Sequence, residues 1–241
     1  MIRIKNVSKY FGKKAALKNV NLEIADGETL AIIGGSGSGK STLLRLMIGL
    51  IKPTEGEIWI DDDEISQMDE DEITSIRLKM GMVFQYSALF DSMSVGDNVA
   101  FGLVEHTDFS KEKIREIVRE KLKQVGLEGV ENLMPNELSG GMKKRVSLAR
   151  AIAFGPEIIF YDEPSSGLDP VTTNKIDELI ISTQRALKVT SVVVTHDMIS
   201  ACRIANRIAM VYNGELIAID TVENFKKIED VRVKEFLRGI V

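Results

Sequence analysis

Cysteine is almost absent from this chain of 241 residues: its only thiol is Cys202. A disulfide within the chain needs two cysteines and a four-cysteine zinc site needs four, so both are excluded. This cysteine usage is typical of proteins in a reducing compartment. The first residues, Met1-Ile-Arg-Ile-Lys-Asn, also lack the apolar stretch of a secretory signal. We therefore expect a cytoplasmic protein.

Long hydrophobic runs are missing as well. The longest run without a polar residue or glycine spans residues 208–212, whereas a membrane-spanning helix needs about 20 residues. We expect membrane contact only through a partner subunit.

Basic residues do not predominate either, since 31 Lys+Arg against 36 Asp+Glu give a formal net charge of −5. That balance argues against nucleic acid as a partner.

The order of apolar patterns predicts an α/β protein. Short alternating runs in the first thirty residues, broken at Gly12 and at residues 26–27, indicate antiparallel strands. Apolar runs at residues 158–161 and 191–195, separated by a helical segment, indicate parallel strands of a second sheet. Between these regions, helical periodicity bounded by Ser110 and Gly126 predicts an amphipathic helix with an N-cap and a C-terminal glycine.

A glycine-rich loop is the most specific motif in the chain. It matches G-x-x-x-x-G-K-[ST], follows an apolar run and precedes a helical pattern, as a phosphate-binding loop requires. Backbone N–H groups and a helix N-terminus would cradle a polyphosphate, Lys40 would reach the β- and γ-phosphates, and Ser41 would hold Mg²⁺. The alternative is a flexible loop that opens an ordinary helix. The predicted nucleotide-binding residues here are Gly34, Gly35, Ser36, Gly37, Ser38, Gly39, Lys40, Ser41 and Thr42.

Two carboxylates follow the apolar run at residues 158–161. Asp162 is suited to the Mg²⁺ shell, and Glu163 can orient and deprotonate a water that attacks the γ-phosphorus. The alternative is that the same pair caps a helix. Beside a phosphate-binding loop, the catalytic interpretation is favoured.

A second glycine-containing segment, Ser139-Gly140-Gly141, directly precedes another helical pattern. Ser139 is a good N-cap, so a plain helix cap is one interpretation. The other is a second anion-binding helix N-terminus that closes over the ATP of a partner in a two-fold dimer.

These motifs, in this order, resemble the nucleotide-binding subunit of ATP-binding cassette (ABC) transporters from end to end. The Walker A loop, Gln85 after a strand, Leu138-Ser-Gly-Gly-Met142, the Walker B strand, a D-loop at residues 166–170 and His196 after a strand all occur. The resemblance implies a P-loop NTPase core with an antiparallel β subdomain and a helical subdomain. It further implies one ABC ATPase domain over residues 1–241, a helical subdomain at about 88–152 and a short helical tail at about 222–241.

The resemblance also implies individual roles. Gln85 would contact the metal and sense the membrane subunit, His196 would contact the γ-phosphate, and Asp169 would lie at the interface of a homodimer. Phe11 matches the position where the family stacks an aromatic ring on adenine. Tyr10 is an alternative for this role, and the alternative for either residue is the hairpin core. Two departures from the common family pattern, Met142 and Ser165, remove no phosphate ligand and no general base.

The segment between Leu89 and Phe101 would receive an integral membrane permease subunit, because apolar residues between polar ones suit a docking groove. The alternative is that they are core residues of the helical subdomain. Several segments, including residues 88–90, 105–107, 135–145 and 233–239, resemble the ATPases of Mla-type, Mce-associated phospholipid transporters of the inner membrane. The other functions considered are an ABC importer of a small polar solute and an ABC ATPase outside transport.

Two charged runs are assigned no site. The acidic residues 61–64 lack EF-hand spacing and are interpreted as a hairpin turn. The basic run Lys143-Lys144-Arg145 is interpreted as the solvated face of a helix.

Overall fold

The computed structural model describes residues 1–238. Two compact units are present: the first comprises Met1–Arg77 and the segment beginning at Thr190, and the second comprises Leu78–Val189. In chain order the elements are β1 (Ile2–Phe11), β2 (Lys14–Ile24), β3 (Thr29–Ile33), α1 (Lys40–Met47), β4 (Glu55–Ile60), β5 (Asp63–Glu64), α2 (Glu70–Arg77), β6 (Met80–Val83), α3 (Val95–His106), α4 (Lys111–Gln124), a 3₁₀ turn (Pro135–Glu137), α5 (Gly140–Ile152), β7 (Ile158–Asp162), α6 (Pro170–Leu187), β8 (Thr190–Val194), α7 (Met198–Ile204), β9 (Arg207–Tyr212), β10 (Glu215–Thr221), α8 (Val222–Phe225) and α9 (Val231–Arg238).

An antiparallel sheet begins the first unit, as the alternating pattern predicted. Its strand order is β2-β1-β4-β5, and β1 pairs with both β2 and β4. Ile2 and Ile4 of β1 and Leu22 and Ile24 of β2 are buried, because alternate side chains of a strand share one face. The acidic run at residues 61–64 forms the turn and short strand after β4.

A second sheet of this unit positions the glycine-rich loop. β3 is parallel to both of its neighbours, β8 and β9, and β10 is antiparallel to β9. All five residues of β3 and all five of β8 are buried, as expected for parallel strands covered on both faces. The carboxyl ends of β3 and β8 therefore lie side by side, at the edge where α/β proteins bind ligands.

The segment predicted as a helical tail contains two separate helices, α8 and α9. Phe225 of α8 and Val233 of α9 are fully buried and belong to the same apolar cluster as Ala31 and Ile33 of β3. This end of the chain therefore packs against the strand that leads into the glycine-rich loop. Residues 239–241 of the predicted tail lie outside the described residues.

In the second unit, β6 and β7 pair in parallel, from Met80 opposite Ile158 to Val83 opposite Tyr161. Helix α5 packs closely against β6, since a Cβ on Gly81 would lie 2.5 Å from the carbonyl oxygen of Ala151. Helices α3, α4 and α5 pack on one another. The boundaries of one domain over 1–241 and of a helical subdomain at 88–152 stay predictions.

Helix ends in this unit follow the predicted local chemistry. The Ser110 hydroxyl accepts a hydrogen bond from Lys113 N at the start of α4, and Gly126 has φ 69° just beyond its end. Both assignments are confirmed. No helix within residues 1–238 combines the length and apolarity needed to cross a bilayer.

Candidate functional site: a phosphate loop and a paired-carboxylate strand end

The glycine-rich loop has a backbone that side chains would not tolerate. Gly34 has φ 150°, Gly37 has φ 73° and Gly39 has φ 117°, all values at which L-residues are strained. A Cβ on Gly39 would lie 2.7 Å from the carbonyl oxygen of Ala16 and 2.8 Å from Leu17 Cδ2. The loop is therefore a defined structure packed against β2, and the interpretation as a merely flexible segment is not favoured.

Lys40, the first residue of α1, lies against this loop. Its side chain is buried, with 8% exposed, and its Nζ donates to the carbonyl oxygens of Gly34 at 2.8 Å and Gly35 at 3.0 Å. These contacts hold the ammonium over the loop, beside the N-terminal turn of α1. A cation and a helix N-terminus at one place favour a bound anion.

A cavity of about 410 Å³ opens over the loop and is lined by residues 37–42 together with Phe11, Lys14, Lys18 and Asn213, among others. Of the two aromatic candidates, it is Phe11 that lines the cavity, and 53% of the residue is exposed. Lys9 Nζ lies 5.3 Å from the centre of the Phe11 ring. An exposed ring at the mouth of such a cavity is suited to stacking on a base.

His196 is at the same sheet edge as the loop. It follows β8, which pairs in register with β3 from Thr29 opposite Ser191 to Ile32 opposite Val194. The backbone N–H of Thr195 donates to Ile32 O at 3.1 Å, which extends the alignment to the residue before His196. The structure thus brings the exposed His196 and the phosphate loop together within the first unit.

The second unit carries the other predicted group. Because β6 and β7 are parallel neighbours, Gln85 after β6 and Asp162 and Glu163 at the end of β7 share one sheet edge. Glu163 has φ 49°, a left-handed conformation that non-glycine residues adopt rarely and that clusters at active sites. The carbonyl of Glu163 accepts from Ser166 N at 3.1 Å, and Gln85 Nε2 donates to Ser166 Oγ at 3.4 Å.

Asp169, predicted for a dimer interface, is the N-cap of α6. Its carboxylate accepts hydrogen bonds from the backbone N–H groups of Val171 and Thr172, each at 3.0 Å. The hydrogen bond from the Thr172 hydroxyl, together with these backbone bonds, holds the pKa of Asp169 below its ordinary value. The turn-forming role is thus observed, and the interface role stays a prediction.

The Ser139-Gly140-Gly141 segment has a capping role too. The Ser139 hydroxyl accepts from Met142 N at 3.3 Å at the start of α5. A Cβ on Gly141 would lie 2.7 Å from Thr172 Cγ2, so this glycine allows α5 and α6 to approach. Ser139 and Gly140 remain exposed, which leaves the helix N-terminus accessible to a ligand.

The prediction that residues 143–145 form a solvated helix face is wrong for Lys144. That residue is 6% exposed, and its Nζ donates to the carbonyl oxygens of Gln85 and Glu163, the latter at 3.4 Å. Burial lowers the pKa of Lys144, and the nearby carboxylates of Asp162 and Glu163 oppose that shift. Helical spacing was an available signal, because Lys144 lies three residues after buried Gly141 and four before buried Leu148.

Comparison with known proteins identifies the family. The model of the ABC transporter family matches residues 17–166, a range that contains the glycine-rich loop, Gln85, the Ser139-Gly140-Gly141 segment and both carboxylates. The chain is similar to a dimeric ATP-binding cassette solved in a post-hydrolysis state with ADP and Pi, with a TM-score of 0.85 and 41% identity. That match covers 92% of this chain and 99% of the other.

Two relatives to which the chain is similar are named for different transport systems. The intermembrane phospholipid transport system ATP-binding protein MlaF of Haemophilus influenzae is 43% identical over 239 residues, covering 99% of this chain and 90% of that protein. The methionine import ATP-binding protein MetN of Carboxydothermus hydrogenoformans is 46% identical over 220 residues, covering 90% of this chain and 65% of that protein. The chain therefore belongs to the ABC transporter family, has the P-loop ABC ATPase fold and is an ATP-hydrolysing subunit of a transporter.

Proposed function

We propose that this chain is the motor of a phospholipid transporter, in which two copies bind two ATP-Mg²⁺ and drive separate membrane subunits. The phosphate loop supports the nucleotide part of this proposal. Three of its glycines have positive φ angles, Lys40 lies over the loop, and Phe11 lines the adjoining cavity. ATP phosphates would lie on residues 34–42 and the adenine against Phe11.

Each unit carries oxygen donors of the kind that Mg²⁺ prefers. In the first unit the hydroxyl of Ser41 would hold the ion. In the second unit the proposed ligands are the carboxylate of Asp162 and the amide oxygen of Gln85. When bound, Mg²⁺ would neutralise part of the phosphate charge.

Hydrolysis requires a group that takes a proton from the attacking water. The Glu163 carboxylate would accept that proton as the water oxygen bonds to the γ-phosphorus and the bond to the β-phosphate oxygen breaks. His196 would donate a hydrogen bond to the γ-phosphate, whose negative charge must be stabilised. The left-handed backbone at Glu163 is the observation in this chain that most favours a catalytic role at that position.

Dimerisation would complete the nucleotide site. Ser139 and Gly140 are exposed at the N-terminus of α5, and an N-terminal helical turn is suited to phosphate. A single chain already has a phosphate loop, so this second turn is used only if it faces the ATP of another copy. The dimeric cassette to which the chain is similar supports this arrangement, and Asp169 would then lie at the interface.

The membrane subunit would dock on an apolar surface of the second unit, formed by Tyr86, Phe90 and Phe101. These are 86%, 43% and 37% exposed, and the rings of Phe90 and Phe101 are 4.9 Å apart. Buried Asn98 holds this surface in shape, because its side chain accepts from Phe90 N at 2.8 Å and donates to Phe90 O at 3.1 Å. Leu89 is half-buried and Val95, within the predicted docking segment, is core.

Phospholipid is the proposed cargo because the similarity to MlaF extends over 90% of that protein as well as 99% of this chain. The chain would then work at the cytoplasmic face of the inner membrane, held there by permease subunits. A small polar solute is the second candidate, because the identity to MetN is 46%.

Isolation of the intact complex from membranes distinguishes the two cargoes. We expect phospholipid to be retained by the purified complex, and we expect ATP-dependent transfer of fluorescent phospholipid between vesicles after reconstitution. Methionine should not stimulate its ATPase. If methionine stimulates hydrolysis and no lipid transfer occurs, the importer function replaces the lipid function.

An aspartate at Phe90 tests the docking surface. A charge buried in an apolar contact without a partner costs several kcal/mol, so Phe90→Asp should abolish membrane association and partner-stimulated ATPase. Tyr86 is more exposed than Phe90, so Tyr86→Asp should disturb the fold less and provides a second variant. Val231→Asp, at an apolar residue that is 65% exposed on the first unit, is the matched control and should behave as wild type. Retention on membranes by the folded variants would exclude this surface.

A further inference from the structure

Lys144 is a buried cation that lies beside the segment after β6, the segment after β7 and the predicted D-loop. Its Nζ donates to the backbone carbonyl of Gln85, which follows β6, and to that of Glu163, which follows β7. The second of these carbonyls also accepts from Ser166 N, in the predicted D-loop. One ammonium on α5 therefore contacts the two strand ends that carry the predicted hydrolytic groups.

These contacts act on backbone in a conformation that non-glycine residues adopt rarely. Glu163 has φ 49°, and a non-glycine residue stays in this region only where its surroundings hold it. The carbonyl of Glu163 is held by Lys144 and Ser166, and the side chain of Gln85 reaches Ser166 Oγ at 3.4 Å. These hydrogen bonds therefore link the two strand ends.

Stability alone does not account for a lysine at this position. Burying an ammonium is unfavourable, and an apolar side chain of similar volume often stabilises a protein equally well. Burial lowers the pKa of Lys144, while Asp162 and Glu163 favour its charged form. The contribution of the ammonium lies in the two directed hydrogen bonds that a methionine cannot make.

We propose that Lys144 is a positioning residue for ATP hydrolysis, which fixes the backbone of Glu163 and Gln85 in one arrangement through its two carbonyl contacts. The proposal rests on the proposed role of Glu163 as general base. It also connects the proposed docking surface, which begins just after Gln85, with the base. Movement of the segment that starts at Gln85 would change the position of Glu163 through Lys144.

Substitution of Lys144 in the purified full-length chain tests this role. A small displacement of a catalytic group lowers rate strongly, by up to about 10²-fold, so Lys144→Met should lower kcat about tenfold or more. KM and the Kd for ATP should stay within about threefold, because the phosphate loop is unaltered. Lys144→Arg, which keeps charge and donors, should restore most of kcat. Lys123→Met removes an exposed lysine of the same unit and should leave all three quantities unchanged.

A double variant, Lys144→Met with Glu163→Gln, distinguishes the positioning role of Lys144 from the role of Glu163 as general base. If Lys144 acts through Glu163, Lys144→Met in the Glu163→Gln background should lower kcat by less than about twofold further. A large loss in Glu163→Gln with none in Lys144→Met would overturn only the role of Lys144. Near-normal hydrolysis by Glu163→Gln would overturn the base assignment itself.

A second comparison keeps the proposal testable if Lys144→Met does not fold. Lys144→Leu also removes the hydrogen-bond donors but has a smaller side chain, and its kcat is compared with that of Lys144→Arg at equal melting temperature. A lower kcat for the leucine variant at unchanged KM supports the proposal. Equal kcat for the leucine variant, the arginine variant and wild type rejects it.

Discussion

Replacement of Glu163 by glutamine is expected to lower ATP turnover about 10²–10⁴-fold, the usual contribution of a positioned general base. The amide has nearly the same shape as the carboxylate, so the fold and the contacts around β7 should persist. It cannot accept the proton of the attacking water. ATP affinity, which depends on the phosphate loop, should therefore remain close to wild type, and a direct measurement of phosphate release will show the loss.

Glu157→Gln is the matched control for this variant, because Glu157 is an exposed glutamate just before β7. It should hydrolyse ATP at the wild-type rate. The Glu163→Gln protein should also accumulate as a dimer when ATP and Mg²⁺ are present, since closure is no longer followed by hydrolysis. Light scattering measures this association, and a monomer at every protein concentration would leave the Ser139-Gly140-Gly141 segment as a helix cap only.

Removal of the Lys40 ammonium is the second change with a large expected effect. A hydrogen bond to a charged group contributes about 1.5–3 kcal/mol, so Lys40→Ala should weaken ATP binding about tenfold or more. Titration calorimetry gives the affinity directly. Unchanged affinity would contradict the role of the glycine-rich loop in phosphate binding.

Lys52→Ala controls for the loss of a lysine contact in the same unit. The Lys52 ammonium also donates to a backbone carbonyl, that of Gln67 at 3.2 Å, but at an exposed position. Its removal should leave ATP affinity unchanged. Melting temperatures of both variants will separate a loss of phosphate contact from a loss of the bonds that Lys40 makes to Gly34 and Gly35.

Structural features that depend on residues close together in the sequence were predicted correctly. The N-cap of Ser110, the left-handed Gly126 and the buried strand before the glycine-rich loop all follow from local chemistry and periodicity. A parallel sheet followed from apolar strands separated by helices, but the pairing of β6 with β7, which puts Gln85 and Asp162 at one edge, is seen only in the structure. Hydrogen bonds and φ angles within a few residues need no knowledge of distant parts of the chain.

Features that depend on distant contacts were not predicted. The basic run at residues 143–145 was expected to be solvated, yet the strand ends after β6 and β7 cover Lys144 and accept its hydrogen bonds. The choice between Phe11 and Tyr10 was open in the sequence, because two adjacent aromatic residues of a hairpin have the same local pattern. The cavity over the phosphate loop favours Phe11.

The sequence by itself determined the family and the phosphate loop, because each depends on residue types at fixed short spacings. The tertiary structure decided which residues between Leu89 and Phe101 are core and which are accessible. Val95 and Asn98 are buried, while Phe90 and Phe101 keep exposed ring surface. The burial of a residue depends on contacts with elements that are far apart in the chain. The sequence around an apolar residue on a helix therefore does not show whether that residue lies in the core or on a docking surface.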